Sequence, residues 1–143
     1  MPATPETLVR RWFDELWNQG REDTIDRLLS ADAKVYGLPT PDGQPLVGRE
    51  AFRPFYRQFR TAFPDIYVTI DRVVREGDLV AAHCRVAGTH LGDGLGIAAT
   101  HRRVAFTGIC IVRAEGDLLV EGWNAFDFLT CYQQIGLLPT LRG

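Results

Sequence analysis

The run Arg103-Val104-Ala105-Phe106-Thr107-Gly108-Ile109-Cys110-Ile111-Val112-Arg113 is followed by Ala114-Glu115-Gly116-Asp117 and then by Leu118-Leu119-Val120-Glu121-Gly122-Trp123-Asn124-Ala125-Phe126. Two runs rich in β-branched and aromatic residues flank a short glycine-bearing turn, which is a hairpin signal. Just upstream the pattern repeats. Tyr67 to Arg75 reads as a strand, Glu76-Gly77-Asp78 as a turn and Leu79 to Thr89 as a strand, and Gly92, Gly94 and Gly96 mark an irregular stretch before Arg103. Long antiparallel strands in succession predict a strongly curled sheet.

Before Pro64 the periodicity is helical. Thr4-Pro5 pairs a capping hydroxyl with proline at the first helical position. Leu8, Val9, Trp12, Phe13, Leu16 and Trp17 then follow at helical spacing up to Gly20. Ile25, Leu28 and Leu29 predict a short second helix, and Ala33 to Leu38 a short strand. Pro39 to Gly48 is a proline- and glycine-rich surface loop. Arg49 to Ala62 predicts a third helix with Phe52, Phe55, Tyr56, Phe59 and Phe63 on its apolar side, stopped by Pro64. Phe128 to Ile135 forms a closing helical turn ended by Gly136. Helices first and hairpins after define an α+β fold. The expected architecture is a strongly curved, mostly antiparallel sheet with N-terminal helices, forming a cone-shaped barrel with an internal pocket. Residues 1–143 are read as one domain.

Composition narrows the partners. Hydrophobic residues make up 45% and charged residues 24% of 143, with a net charge of -2. That balance suits a soluble globular protein and gives no reason to expect nucleic acid or an anionic membrane as partner. Cys84, Cys110 and Cys131 form an odd set with no close pair. They read as reduced, buried thiols in a cytoplasmic protein, with no disulfide framework or zinc site. The N-terminus shows no signal pattern and no apolar run approaches 18 residues.

The carboxylate of Asp127 closes the last strand among aromatic and aliphatic neighbours. In apolar surroundings its pKa would rise and make it a usable base. Alternation places Trp123, Ala125 and Asp127 on one face, with Glu121 sharing their parity, and Asn124 on the opposite face unless a bulge intervenes. The competing reading makes Asp127 the N-cap of the turn beginning at Phe128, and Trp123 is pocket wall or core. His90, before the glycine-rich loop, is either a proton donor to a new alkoxide or a structural hydrogen-bonding group. His83 and Arg85 face away from Val80, Ala82, Cys84 and Val86, toward solvent or a partner subunit. Phe13, Trp17, Tyr36, Phe52, Tyr56 and Phe59 supply aromatic wall for a pocket, and the hydroxyls of Tyr36 and Tyr56 are candidate polar contacts to a ligand.

An ordered series runs through these elements: Gly88-Thr89-His90-x-Gly92, Gly96-Ile97, Gly108-Ile109-x-Ile111-x-Arg113, Gly116-Asp117-Leu118-Leu119-Val120-Glu121-x-Trp123, Asp127, and Gln133-Gln134-Ile135-Gly136-Leu137. Trp17-Asn18 before Gly20, Gly48 before the third helix, and Phe63-Pro64-Asp65 after it belong to the same set. The chain thereby resembles the SnoaL-like polyketide cyclase family, whose cone-shaped α+β barrel is shared with ketosteroid isomerase and nuclear transport factor. The resemblance implies cofactor-independent, metal-free general acid/base catalysis of an intramolecular aldol ring closure on an aromatic polyketide ester. It implies an acid/base role for Asp127 through the Trp-x-x-x-Asp pattern. Two departures stand near the expected pocket mouth: Ala98-Ala99 replace the usual prolines, and His101 replaces the usual glycine after Thr100. Other readings on the same cone are an isomerase, hydrolase or hydroxylase, or a non-catalytic ligand-binding or dimerisation module. A small apolar or aromatic substrate and a further copy of the chain, as a homodimer or higher homo-oligomer, are the expected partners.

Overall fold

The computed structural model describes residues 3–140. Helix α1 (Pro5–Arg11) starts as its sequence requires: Thr4 Oγ1 accepts from Thr7 N, and proline occupies the first turn. The expected regular helix up to Gly20 does not persist. From Trp12 to Asn18 the chain widens into π-helical turns, and Gln19 N reaches back five residues to the Asp14 carbonyl. The wider turn carries Trp12 and Trp17, five residues apart, to one side. Asn18 fastens this segment to the sheet, its amide exchanging two hydrogen bonds with the backbone of Val68.

Helix α2 (Thr24–Leu28) is followed at once by strand β1 (Leu29–Tyr36). Leu29 therefore begins a strand instead of ending a helix, and β1 starts earlier than its apolar residues suggested. The following loop holds the two-residue strand β2 (Leu46–Val47), paired with Lys34 and Val35. Helix α3 (Arg49–Ala62) has the predicted bounds, as do the hairpin strands β3 (Tyr67–Glu76) with β4 (Leu79–Thr89) and β5 (Arg103–Glu115) with β6 (Leu118–Phe126), within two residues. Helix α4 (Phe128–Gln134) closes the chain. Its Gln134 amide both accepts from Ala105 N and donates to Ala105 O, fixing α4 to β5.

The sheet order is β2-β1-β6-β5-β4-β3. All neighbours are antiparallel except β1 and β6, which run parallel. The inward face of this curved sheet carries Val80, Ala82, Cys84 and Val86 from β4 and Val104, Phe106 and Cys110 from β5. It packs against α1, its π-helical extension and α3, so the core lies between helices and sheet. His83 and Arg85 point to the other face, where Arg85 pairs with Asp71 at 2.8 Å and His83 Nδ1 lies 3.5 Å from Arg72.

The ladder between β5 and β6 contains one irregularity that reassigns the last strand. Arg113 pairs with Glu121, but the next residue, Ala114, pairs with Leu119. Val120 is the extra residue of a β-bulge. Beyond it the inward set is Gly122, Asn124 and Phe126, which face Val112, Cys110 and Gly108 in register.

The glycine-rich stretch after β4 is laid flush on α3. A Cβ on Gly92 would sit 2.0 Å from the Thr61 carbonyl oxygen, and Leu91 N and Gly92 N both donate to the Ala62 carbonyl at the helix end. His101 adopts φ 61°, the left-handed conformation, which non-glycine residues seldom take. We expect Gly92→Ala to destabilise by about 1–3 kcal/mol through this steric conflict, read as a lowered urea midpoint. An unchanged midpoint would contradict the contact.

Candidate functional site

An apolar cavity of about 100 Å³ lies between the helices and the inward face of the sheet. Its aromatic wall comes from Trp12, Phe13 and Trp17 on the first helix, Phe52, Phe55 and Phe59 on α3, and Phe106, Phe126 and Phe128 from the sheet and α4. All of these rings except Phe13 form a continuous contact chain. Trp12 meets Phe52 at 5.3 Å, Phe55 meets Phe59 at 4.8 Å, and Phe59 meets Phe128 at 5.5 Å between centroids. Such tilted and edge-on pairs each contribute about 0.5–1.5 kcal/mol beyond burial. A shallower concavity of about 570 Å³, lined by Pro39, Gln58, Asp93, Leu95 and Tyr132 among others, shares Phe59 with the cavity. Burial pushes the Tyr132 hydroxyl up to about 12, so it stays protonated at neutral pH.

Of the aromatic candidates, Phe13, Trp17, Phe52 and Phe59 are in the wall. Tyr56 is not: its ring lies tilted against Trp17 at 5.0 Å, and its hydroxyl donates to the Leu16 carbonyl at 3.0 Å. Trp123 and Tyr36 are also outside the cavity. The bulge at Val120 turns Trp123 to the outer face, where it is 38% exposed and stacks on Tyr36 at 5.7 Å. Tyr36 donates to Glu121 at 3.2 Å, and Arg113 donates to the same carboxylate at 3.3 Å.

Asp127 corrects the expectation of a raised carboxylate in apolar surroundings. It is exposed and caps α4, accepting from Thr130 N at 3.0 Å and from the Thr130 hydroxyl at 2.6 Å. These hydrogen bonds hold its carboxyl below the ordinary aspartate range. The sheet register explains the error, since Phe126 is the inward residue and Asp127 follows it on the outer side.

His90 is fully buried, but lines neither concavity. Its Nδ1 accepts from Thr100 N at 3.1 Å and lies 2.9 Å from the Thr100 hydroxyl, which assigns the ring proton to Nε2. Nε2 has no partner among the described residues. Burial holds the imidazole below its ordinary pKa, in the neutral form. His90 therefore anchors the loop to Thr100, away from the cavity.

Trp12, Phe55, Phe106, Phe126, Phe128 and Asn124 are further wall residues, which sequence spacing alone does not mark as site residues. Phe55 was legible on the apolar side of α3. Asn124 was hidden by the bulge. All three cysteines are free and buried, and Cys110 reaches the cavity wall. Among the described residues no group of three or more His, Cys, Asp or Glu comes together as a metal site, and no helix is long and apolar enough to cross a membrane.

A curved six-stranded sheet, helices over its inner face and an aromatic chamber between them define an α+β protein with a small-molecule-sized interior. A family model of the SnoaL-like polyketide cyclases matches residues 7–135, and the chain belongs to that family. Comparison with curated protein sequences gives no match. Among solved structures the chain is similar to IdmH from Streptomyces antibioticus, a candidate polyketide cyclase, with 28% identity, TM-score 0.80 and coverage of 94% of this chain and 99% of that one. It also shares its fold with a SnoaL-like polyketide cyclase candidate from Jannaschia sp. CCS1, at 23% identity and TM-score 0.82, covering 94% and 93% of the two chains. AclR from Streptomyces galilaeus, a candidate hydroxylase, has the same fold at 23% identity and TM-score 0.80, covering 94% and 97%.

The Asp127 cap makes a pH-dependent prediction. Folding lowers its pKa, so its contribution is present above the unfolded value of about 3.9 and is lost as pH falls below it. Asp127→Ala should lower the urea midpoint at pH 7, and Asp127→Asn, which keeps one of the two accepting oxygens but not the charge, should lower it less. The gap between wild type and Asp127→Ala should close at acid pH. A gap that persists at pH 2 would refute the cap account.

Proposed function

We propose that this chain is a cyclase-type enzyme that closes a ring in an aromatic polyketide ester by intramolecular aldol addition, using the apolar cavity to fold the molecule on itself. The observation that carries this reading is the aromatic wall of the cavity. An empty hollow of about 100 Å³ costs a protein about 2 kcal/mol in lost packing, which a ligand would offset. A cavity of comparable size holds a single aromatic ring. One ring or the reacting end of the molecule would enter, and the remainder would stay at the cavity mouth.

In the reaction, a proton leaves the carbon beside the ester carbonyl, the enolate carbon attacks a ketone in the same molecule, and the new alkoxide takes a proton. Conjugation with the aromatic system spreads the enolate charge and lowers the barrier to the first step. The protein's contribution is confinement. Holding two reacting groups at near-attack distance is worth effective molarities of up to 10⁵–10⁸ M in well-oriented cases. The family resemblance supports a reaction that uses no metal or organic cofactor.

Gly122 offers the direct test. It lies in the cavity wall, has no strained backbone angle, and a Cβ there would meet nothing closer than Asn124 Nδ2 at 4.0 Å. Gly122→Leu should fill the hollow and keep the fold. With a synthetic aryl β-ketoester bearing a side-chain ketone, it should lose ring closure at least tenfold, while Asp127→Asn should stay within about tenfold of wild type. Unchanged turnover in Gly122→Leu would overturn the confinement reading. A loss of 10²–10⁴-fold in Asp127→Asn would restore that residue as general base.

The outer face of the sheet supports a homodimer as the working assembly. Ile109 and Ile111 are 49% and 42% exposed and lie in register beside Ala125 and Trp123 on β6 and His83 and Ala81 on β4. The pairs Arg85–Asp71 and Arg113–Glu121 flank this patch with both signs of charge. A surface apolar at its centre and charge-balanced at its rim is suited to a two-fold contact with itself. Sedimentation should give twice the chain mass of 16.0 kDa, and Ile111→Asp should reduce it to the single mass. A wild-type species at the single mass would refute the dimer.

A further inference from the structure

We propose that Asn124 is the group by which the cavity recognises and orients a carbonyl oxygen, so that its ligands are aryl ketones or aryl esters in preference to hydrocarbons of the same shape. This rests on the chamber reading above and adds to it the polar handle that the wall otherwise lacks.

The geometry comes from the bulge. Beyond Val120 the inward set of β6 is Gly122, Asn124 and Phe126, and Asn124 stands directly across from Cys110, which is itself in the wall. The other polar residues of the wall are directed elsewhere. Lys34 and Glu121 are register partners on β1 and β6 and alternate with the inward Ala33, Val35 and Gly122. The Glu121 carboxylate is taken up by Tyr36 and Arg113 on the outer face. Cys110 keeps its proton, because the neighbouring Cys84 sulfur and burial both hold its thiol far above the ordinary range. Its S–H is only a weak donor. Asn124 is left as the strong neutral hydrogen-bonding side chain of a wall made of rings and aliphatic groups.

Its orientation is fixed. Nδ2 donates one hydrogen to the Tyr36 carbonyl at 3.0 Å. The chain turns at Gly37, where φ is 84° and a Cβ would come within 1.9 Å of the Asn124 carbonyl oxygen, so β1 and β6 are in close contact at this point. A side-chain amide has two N–H donors. The second has no partner among the described residues and belongs to a residue that forms the cavity wall. A held donor in an apolar chamber rewards a ligand oxygen more than water would, since it needs no reorganisation on binding. A ligand without that oxygen leaves the amide unpaired, which is the basis of strong discrimination by buried polar groups. In a ring closure the same contact would polarise the carbonyl and fix which end of the molecule enters.

Acetophenone and α-methylstyrene test this, because they differ only in the carbonyl oxygen against a methylene. Calorimetric titration of wild type and Asn124→Leu with both is the experiment. Leucine should weaken acetophenone about tenfold, the scale of one well-made hydrogen bond, and leave α-methylstyrene unchanged or tighter. If the Leu variant does not fold, infrared spectroscopy of acetophenone bound to wild type gives an independent reading. Its carbonyl stretch should fall below the value in hexane, and a stretch at the hexane value would overturn the proposal. Equal changes for both compounds in Asn124→Leu would leave the chamber standing and remove Asn124 from recognition. If neither compound binds wild type, the chamber reading fails and takes this assignment with it.

Discussion

The bulge at Val120 governs the rest of the molecule. A β-strand alternates its side chains strictly, so one extra residue moves every later side chain to the opposite face. Here that single residue sends Trp123 outside and Asn124 inside, and it makes Phe126, not Asp127, the last inward side chain of β6. The chamber, the outer patch and the cap on α4 are all consequences of where that residue falls.

Most of the fold could be read from the chain because its signals are local. The Thr4 cap, the Phe-rich side of α3 and the two glycine turns each act within a few residues, and the four hairpin strands and α3 fall close to their expected bounds, whereas β1 and β2 do not. The site was less legible because it depends on register between distant strands. Strict alternation from Leu119 predicts Glu121, Trp123 and Asp127 inside. The hint against it is that the buried Leu119 and the wall residue Phe126 are seven apart, an odd separation that one unbroken strand cannot put on one face. The π-helical turns were illegible for a related reason. Trp12, Phe13 and Trp17 fit a regular helix almost as well, and only packing against the sheet selects the wider turn. His101 is a further case, a non-glycine residue that takes the left-handed angle with no local signal for it.

The two sides of the sheet divide the chemistry. Inside, the interactions are dispersion and ring contacts, with one amide standing among them. Outside, carboxylates and guanidiniums are matched in pairs around exposed isoleucines. Exposed pairs of this kind contribute little stability each, and their value lies in selecting which surfaces meet. Stability rests instead on the inner face, where burying each large apolar side chain contributes about 1.5–3 kcal/mol.

The three tryptophans follow the same division. Trp12 and Trp17 border the hollow, and Trp123 sits outside against Tyr36. The chain thus carries two kinds of built-in optical reporter. Indoles in dry surroundings emit toward the blue and would be dimmed by an absorbing guest in the interior. The indole on the outer sheet emits toward the red and is open to collisional quenchers until another surface shields it. Occupancy and self-association can be followed separately, in one unlabelled sample, by the colour of the light.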